Sequence, residues 1–255
     1  MGTPGITIAV IAKNEADRIE AMLKSAAFAA EVIVVDSGST DGTQALCEKY
    51  GARVVETHWR GYAGQKQFTM EQATSDWILN LDADEAVSDE LAGEIQRAIQ
   101  QAAPDINGFS MPRLSKYLGR WIRHGGWYPD RKIRLVKKGA GAWKGDGLHE
   151  TLVVDGKTAR LSAPILHYVY RDIFDQVATI NRFSDLSAGE RGRAGSWYVL
   201  AGLGHALGKI LECYVWKRGI LDGLPGLIIA VNSAFYVFLR HAKAWERGLA
   251  EKDEQ

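Results

Sequence analysis

Apolar and polar positions alternate in blocks along the first hundred residues. Ile6 to Ile11 (ITIAVI), Glu31 to Val35 (EVIVV), Arg53 to Glu56 and Trp77 to Leu81 (WILNL) read as four strands. Their apolar residues are consecutive rather than alternate, the pattern of strands covered on both faces. Helical spacing fills the gaps. Glu15 to Ala27 sets Ile19, Met22 and Leu23 inward, and Gln44 to Tyr50 and Gly61 to Ala73 read as two further helices. Ser88 caps a fourth, with Leu91, Ile95 and Ile99 on one face. Strand and helix taking turns predict a parallel α/β sheet with helices on both faces.

After Pro104 the rhythm changes. Asn107 to Pro112 and Lys132 to Val136 read as strands, with a Gly- and Trp-rich loop, Tyr117 to Asp130, between them. Gly139 to Glu150 reads as a glycine-rich loop, and Thr151 to Val154 with Thr158 to Leu161 as a hairpin around Asp155-Gly156. From Asp172 the pattern is helical, with Leu200, Leu203, Leu207, Ile210, Leu211 and Tyr214 three and four apart. The expected division is therefore a sheet domain over 1–168, in halves 1–103 and 104–168, and a helical region over 169–255.

Composition narrows the classes. The 255 residues carry no net formal charge, which excludes the basic footprint of a nucleic-acid binder. Cys47 and Cys213 match no metal or redox spacing, so a reducing, cytosolic compartment is the default. Met1 to Gly5 shows neither a charged nor a long apolar run, and no secretory signal is expected. The uncharged run Gly223 to Leu239 falls short of the roughly 20 residues that span a bilayer. Trp197, Tyr198, Tyr214, Trp216, Tyr236 and Trp245 mix with Lys209, Lys217, Arg218, Arg240 and Lys243, which suits helices lying in a membrane interface. A helical pair packed on the sheet, or joining two copies as a homo-oligomer, is the other reading.

Three strand ends carry polar loops: Lys13-Asn14-Glu15, Asp36 to Asp41, and Asp82 to Glu85. Ligands of open α/β sheets bind outside the carboxyl ends of the strands. On an extended chain Asp82 and Asp84 would face one side, and two such charges call for a divalent cation with a bound phosphate. Alternatively the strand runs into a helix, with Asp84 and Glu85 in its first turn. Neither GxxxxGK[ST] nor GxGxxG follows the first strand, so phosphate would be held by a metal and single cations. Asp36 suits either an N–H from a base edge or the cap of the following turn.

Ile6 to Glu15, the run Asp36-Ser37-Gly38-Ser39-Thr40-Asp41-Gly42-Thr43 and Asp82-Ala83-Asp84 together resemble a family 2 glycosyltransferase of the GT-A fold. Gly61 to Lys66 (GYAGQK), Trp127 to Arg131 (WYPDR) and Leu148-His149-Glu150 are similar to the bacterial lipopolysaccharide-core beta-1,4-glucosyltransferase branch. The resemblance implies a Rossmann-like mixed sheet with helices on both faces, followed by the helical region. It also implies that Ala12, Asn14 and Glu15 flank uracil and ribose, that Asp36 hydrogen-bonds the base, and that Lys66 stands near the nucleotide. Asp82 would bind the ribose side, and Asp84 would hold Mg²⁺ or Mn²⁺.

An attacking hydroxyl must lose a proton, and Glu150 is the expected base, with Asp146 as substitute. His149 is a further candidate metal ligand, since imidazole suits Mn²⁺; a plain polar strand entrance is the alternative for His149-Glu150. His167 and His205 read as packing or capping residues, and the loop with Trp121, Trp127 and Tyr128 as either an acceptor-stacking surface or an apolar plug. The implied activity is inverting, metal-dependent transfer of a hexose, with glucose expected, from a UDP-sugar to a lipopolysaccharide core or other lipid-linked glycan. The expected location is cytoplasmic, peripheral on the inner membrane, and no nucleic-acid partner is expected. Two alternatives stand beside it. A haloacid-dehalogenase-type phosphatase also uses Asp-x-Asp, but wants Thr or Val where Ala86 stands, and usually places the motif after the first strand rather than the fourth. A non-catalytic membrane-associated scaffold would be expected to lose acidic strand ends that are all present.

Overall fold

A computed structural model describes residues 5–145, 150–188 and 195–253. The chain forms two compact units, Met1–Arg113 with Asp130–Tyr168, and Leu114–Pro129 with Val169–Gln255.

The first unit opens with β1 (Ile6–Ala12), α1 (Ile19–Ser25), β2 (Glu31–Asp36), α2 (Thr43–Lys49), β3 (Arg53–Glu56), α3 (Tyr62–Glu71) and β4 (Trp77–Asp82). It continues with β5 (Glu85–Val87), α4 (Asp89–Gln101) and β6 (Ile106–Tyr117), whose last residues belong to the second unit with β7 (Arg120–Trp121). Then come β8 (Asp130–Lys137), β9 (Gly141–Lys144), β10 (Thr151–Val154), β11 (Lys157–Arg160) and β12 (Ile165–His167). The main sheet runs β3-β2-β1-β4-β8-β6-β12-β5. β1 pairs in parallel with β2 and β4, while β8 is antiparallel to both β4 and β6, so the sheet is mixed.

Alternate residues of these strands feed two cores. Ile8, Val10, Leu79 and Leu81 join Ile19, Met22, Leu91 and Ile95 in one. Ala9, Ile33, Val35 and Ile78 join Met70, Trp143 and Leu152 in the other. The period of two sends successive side chains to opposite faces, and helices cover both. At the opposite end of β2 from its loop, Glu31 accepts hydrogen bonds from Thr7 Oγ1 (2.8 Å) and from Thr74 N (3.0 Å) and Oγ1 (2.7 Å). Burial opposes ionisation there, but these donors and Arg53 bring its pKa down to about 2. Ser88 caps the start of α4, its hydroxyl accepting from Leu91 N at 3.2 Å.

Three local expectations change. The helix expected from Glu15 begins at Ile19, and the N–H groups of Glu15 and Ala16 ahead of it donate to Thr43 Oγ1 and Asp41 Oδ2. The chain does not stay extended through Asp84: β4 ends at Asp82, residues 83–84 turn, and Glu85 starts β5, well before the helix. Finally, β10 pairs not with β11 but antiparallel with β9, in the segment expected as a loop. β11 pairs in parallel with β6. Burial decides this. Leu152 meets Trp143 across the β9–β10 pair, both inside the second core, and Gly141 tolerates no side chain there, since a Cβ would come within 2.7 Å of Val136.

The second unit contains the 114–129 segment, α5 (Ile173–Ala188), α6 (Ser196–Ile210) and α7 (Gly223–Asp253). A π-helical stretch, Leu211–Trp216, and a turn, Gly219–Asp222, join α6 to α7. Buried Asp222 accepts from the backbone N–H of Arg123 (3.2 Å) and of His124 (2.8 Å), and Tyr117, Ile122 and Ile229 form a small core. The segment 114–129, expected with the sheet, thus clusters with the helices. Trp127 packs against Tyr117 and Tyr170, ring centroids 5.7 and 6.2 Å away. Gly219–Leu249 is long and apolar enough to cross a membrane by length and composition. Much of the apolar surface of this unit is open: Leu200, Leu203, Leu207, Leu211 and Val215 are all exposed at helical spacing, as are Leu224 and Trp216, the latter at 82%.

Candidate active site

The parallel registers bring the polar loops together. Ala12 lies opposite Asp36, and Ile11 lies opposite Asp82, so the ends of β2, β1 and β4 are level and adjacent. The first two loops are stitched to each other. Asn14, at φ 56°, donates its N–H to Ser39 Oγ and accepts from Thr40 N, both at 2.8 Å. The Glu15 carboxylate grips Arg18 with both oxygens, at 2.9 and 3.1 Å. Asp36 is fully buried and accepts from Gly38 N, Ser39 N, Ser39 Oγ and Gln44 Nε2. The loop itself occupies that carboxylate, and of its two expected roles the geometry displays the turn-capping one.

The end of β4 is built differently, as a ladder of alternating charge. Lys66 Nζ, buried on α3, lies 2.7 Å from Asp82 Oδ1 and 3.0 Å from Glu150 Oε1, with the Trp143 ring centroid 4.7 Å away. Arg134 Nη2 reaches Asp82 Oδ2 at 2.5 Å and Glu85 Oε1 at 2.8 Å. Arg113 then joins Glu85 (3.2 Å) to Asp130 (2.6 Å). Glu85 is fully buried and also accepts from Asp82 N at 3.0 Å. Charges taken out of water in this way persist because each is paired. Burial pushes the Asp82 carboxyl up, but Arg134 and Lys66 outweigh it and hold its pKa well below the usual carboxylate range. Burial likewise works against the Arg134 guanidinium, and Asp82 and Glu85 overcome it and raise its pKa. Arg134 Nε is buried and has no hydrogen-bond partner among the described residues.

Asp84 stands apart from this ladder. The turn at residues 83–84 carries its carboxylate to Arg18 Nη1 and to His167 Nε2, each 3.6 Å away. His167 is there because β12 runs antiparallel to β5, with His167 opposite Glu85, and Tyr168 N donates to Asp84 O at 2.9 Å. In sequence His167 reads as a packing or capping residue. Its only local signal is a polar residue at the end of a three-residue strand, and its neighbour is more than eighty positions away. A carboxylate and an imidazole form a donor set that suits Mn²⁺, with Mg²⁺ favouring the oxygen. Among the described residues no three His, Cys, Asp or Glu side chains cluster to hold a metal, so phosphate or water oxygens would have to fill the other positions. His149 and Asp146 lie outside the described residues.

The structure therefore gathers Lys66, Asp82 and Glu150 into one cluster, ties Asn14, Glu15 and Asp36 into one pair of loops beside Ala12, and sets Asp84 with His167. The glycosyl transferase family 2 model matches residues 7–151. The lipopolysaccharide core biosynthesis glycosyltransferase LpsC of Rhizobium meliloti is 32% identical over 249 residues, covering 93% of this chain and 91% of that protein. An uncharacterized glycosyltransferase of Rickettsia conorii is 30% identical over 269 residues, covering 98% of this chain and 93% of that protein. Among solved structures, the mannosyltransferase PcManGT from Pyrobaculum calidifontis, in complex with GDP-Man and Mn²⁺, superposes with a TM-score of 0.50 at 19% identity, covering 98% of this chain and 76% of that one.

Proposed function

The chain belongs to glycosyl transferase family 2, and from that premise we propose that it moves a hexose from a UDP-sugar, with inversion, to a saccharide of lipopolysaccharide-core type. The observation that carries this reading is Lys66, which bridges Asp82 at the end of β4 to Glu150. Family membership removes the phosphatase alternative, and nothing favours a scaffold. The stitched loops of Asn14, Glu15 and Asp36 form the wall for base and ribose, with Asp36 fixing the loop's shape. Asp82 faces the ribose side, and Lys66 offers its charge near the nucleotide. Asp84 and His167 would hold Mg²⁺ or Mn²⁺, which as a Lewis acid supplies stabilisation for the departing diphosphate. Glu150 takes the proton of the acceptor hydroxyl as its oxygen bonds to the anomeric carbon and the bond to diphosphate breaks. Lys66 holds that carboxylate in place. LpsC, named for lipopolysaccharide core biosynthesis, supports the acceptor class. The GDP-Man and Mn²⁺ of PcManGT support a nucleotide-sugar donor and a divalent metal, and the uridine base is a finer step of the proposal.

The open apolar stripe of α6, the π-helical stretch after it and the start of α7 is proposed to lie in the cytoplasmic face of the inner membrane, where a lipid-linked acceptor is held. Trp216→Ser with Leu224→Ser should release the protein from sedimenting vesicles of inner-membrane lipids; equal sedimentation rules the stripe out as the contact.

Two variants test the site as a pair. Asp84→Ala should abolish the metal-dependent gain in UDP affinity in calorimetry with Mn²⁺, and Glu150→Gln should bind UDP as the wild type does. Glu150→Gln should lose roughly 10²–10⁴-fold in transfer, the usual worth of a positioned base. Unchanged UDP affinity in Asp84→Ala, or full transfer in Glu150→Gln, sinks the respective assignment. A thermal-shift screen of UDP-glucose, UDP-galactose and GDP-mannose with Mn²⁺ identifies the donor.

A further inference from the structure

The helical unit has a concave site of its own. A groove of about 250 Å³ opens among α5, α6 and α7. Trp127 and Tyr170 stand in its wall, their planes tilted by 59°, and Gln176 and Asn232 line it as well. Gln176 is 3% exposed, and its Oε1 accepts from Tyr117 Oη and from Asn232 Nδ2. Those two bonds fix both amides. They leave Gln176 Nε2 as a donor and Asn232 Oδ1 as an acceptor, and among the described residues neither atom has a partner. Both residues line the groove, and neither atom is among the buried side-chain atoms left without a partner in the described residues, which are Gln65 Oε1 and Arg134 Nε, so each keeps accessible surface.

This combination selects a ligand chemistry. A hydroxyl both donates and accepts, so neighbouring ring hydroxyls satisfy a free amide N–H beside a free amide C=O. The C–H face of a sugar ring packs on an aromatic wall. An acyl chain would fill the same space but bury both amide atoms without partners. The volume falls below the roughly 300–1,000 Å³ of drug-sized pockets, which favours a ring or two over a long segment. We propose that this groove binds a sugar ring of the glycan acceptor, as a saccharide site built wholly by the helical unit. The identity of the glycan rests on the acceptor class proposed above; the donor and acceptor pattern of the groove does not.

The test uses the full chain labelled with 5-fluorotryptophan and a deacylated lipopolysaccharide-core oligosaccharide as probe, with no donor present. Trp127→Phe assigns the Trp127 fluorine resonance. That resonance should shift saturably as oligosaccharide is added. Asn232→Leu should weaken binding by about tenfold or more, the worth of one or two hydrogen bonds. Ser233→Phe, which fills the groove and leaves the amide pair in place, should do the same and covers the case in which Asn232→Leu does not fold. Unchanged affinity in the folded variants overturns the proposal. So does a resonance that answers to neutral phospholipid vesicles and not to the oligosaccharide. The assay contains no transfer step, so the two readings fail separately. Groove binding without any transfer by the wild type counts against the acceptor reading alone, and transfer with groove binding unchanged in both variants counts against the groove alone.

Discussion

Asp36 and Asp82 end neighbouring strands of one sheet, yet they are satisfied in opposite ways. Asp36 is closed off by donors within eight residues of it in sequence: Gly38, Ser39 and Gln44. Asp82 is held by Lys66 from α3 and Arg134 from β8, and its side chain keeps 29% of its surface open. A carboxylate saturated by its own loop shapes backbone, whereas one held by distant cations and left partly open stays available to a ligand. Position at a strand end does not by itself assign a role; the origin of the partners does.

Removing a partner from each region should separate the two. The largest effect is expected for Arg134→Met, which takes the cation shared by Asp82 and buried Glu85 and leaves them to Lys66 and Arg113 alone. Breaking a buried pair from one side costs about 3–5 kcal/mol, read as a lower urea midpoint at unchanged slope. A loss below about 1 kcal/mol would show that the ladder is no more than a surface network. Asp36→Asn should cost less, about 1–3 kcal/mol, because it keeps the shape and loses charge-assisted bonds to a loop that can still pair partly with water. Its nucleotide affinity should fall with the loop order rather than vanish.

The smallest effect is the acid limb of stability. Glu31 and Asp82 both titrate below ordinary carboxylates in the folded protein, Glu31 at about 2. A lowered folded pKa adds stability that is complete above the unfolded value of about 4 and is lost as pH falls through the folded one. Wild-type unfolding free energy should therefore be flat from neutral pH to about 5 and fall below it. Arg134→Met should shorten that acid loss, because it removes the principal attraction holding Asp82 ionised. An acid limb unchanged in the variant would take the pH dependence away from Asp82 and leave it to the other lowered carboxylates, Glu31 and Glu212 among them.

The four parallel-sheet strands and α4 were legible because their signals are local: consecutive apolar residues, a serine cap, leucine and isoleucine at helical spacing. The converging loops followed from strand order and direction. What escaped was non-local. β10 had two possible neighbours, and the choice fell to Leu152 meeting Trp143 rather than to the Asp155-Gly156 turn. The split between Asp82 and Asp84 comes from a turn at Ala83 that an extended-chain reading does not contain. His167 reaches Asp84 only through β12 pairing with β5, and no residue beside it in sequence announces that. Lys66, Asp82 and Glu150 stand out in the sequence, but the ladder through Arg134, Glu85 and Arg113 does not, since those three come from three separate strands.

The register of β1 has one more consequence. Ala12 faces Asp36 and Ile11 faces Asp82 only while the apolar side chains of β1 keep to their own faces. A slip of one residue would turn each of them to the wrong side, and it would carry Asn14 about 3.3 Å out of step with Ser39 and Thr40. The methyl groups of the core thus act as the ruler against which the polar loops are measured. In this sheet the tolerance of the site and the cohesion of the fold are one property, and a substitution deep among Ile8, Val34 and Leu79 is also an adjustment of the distance between two loops.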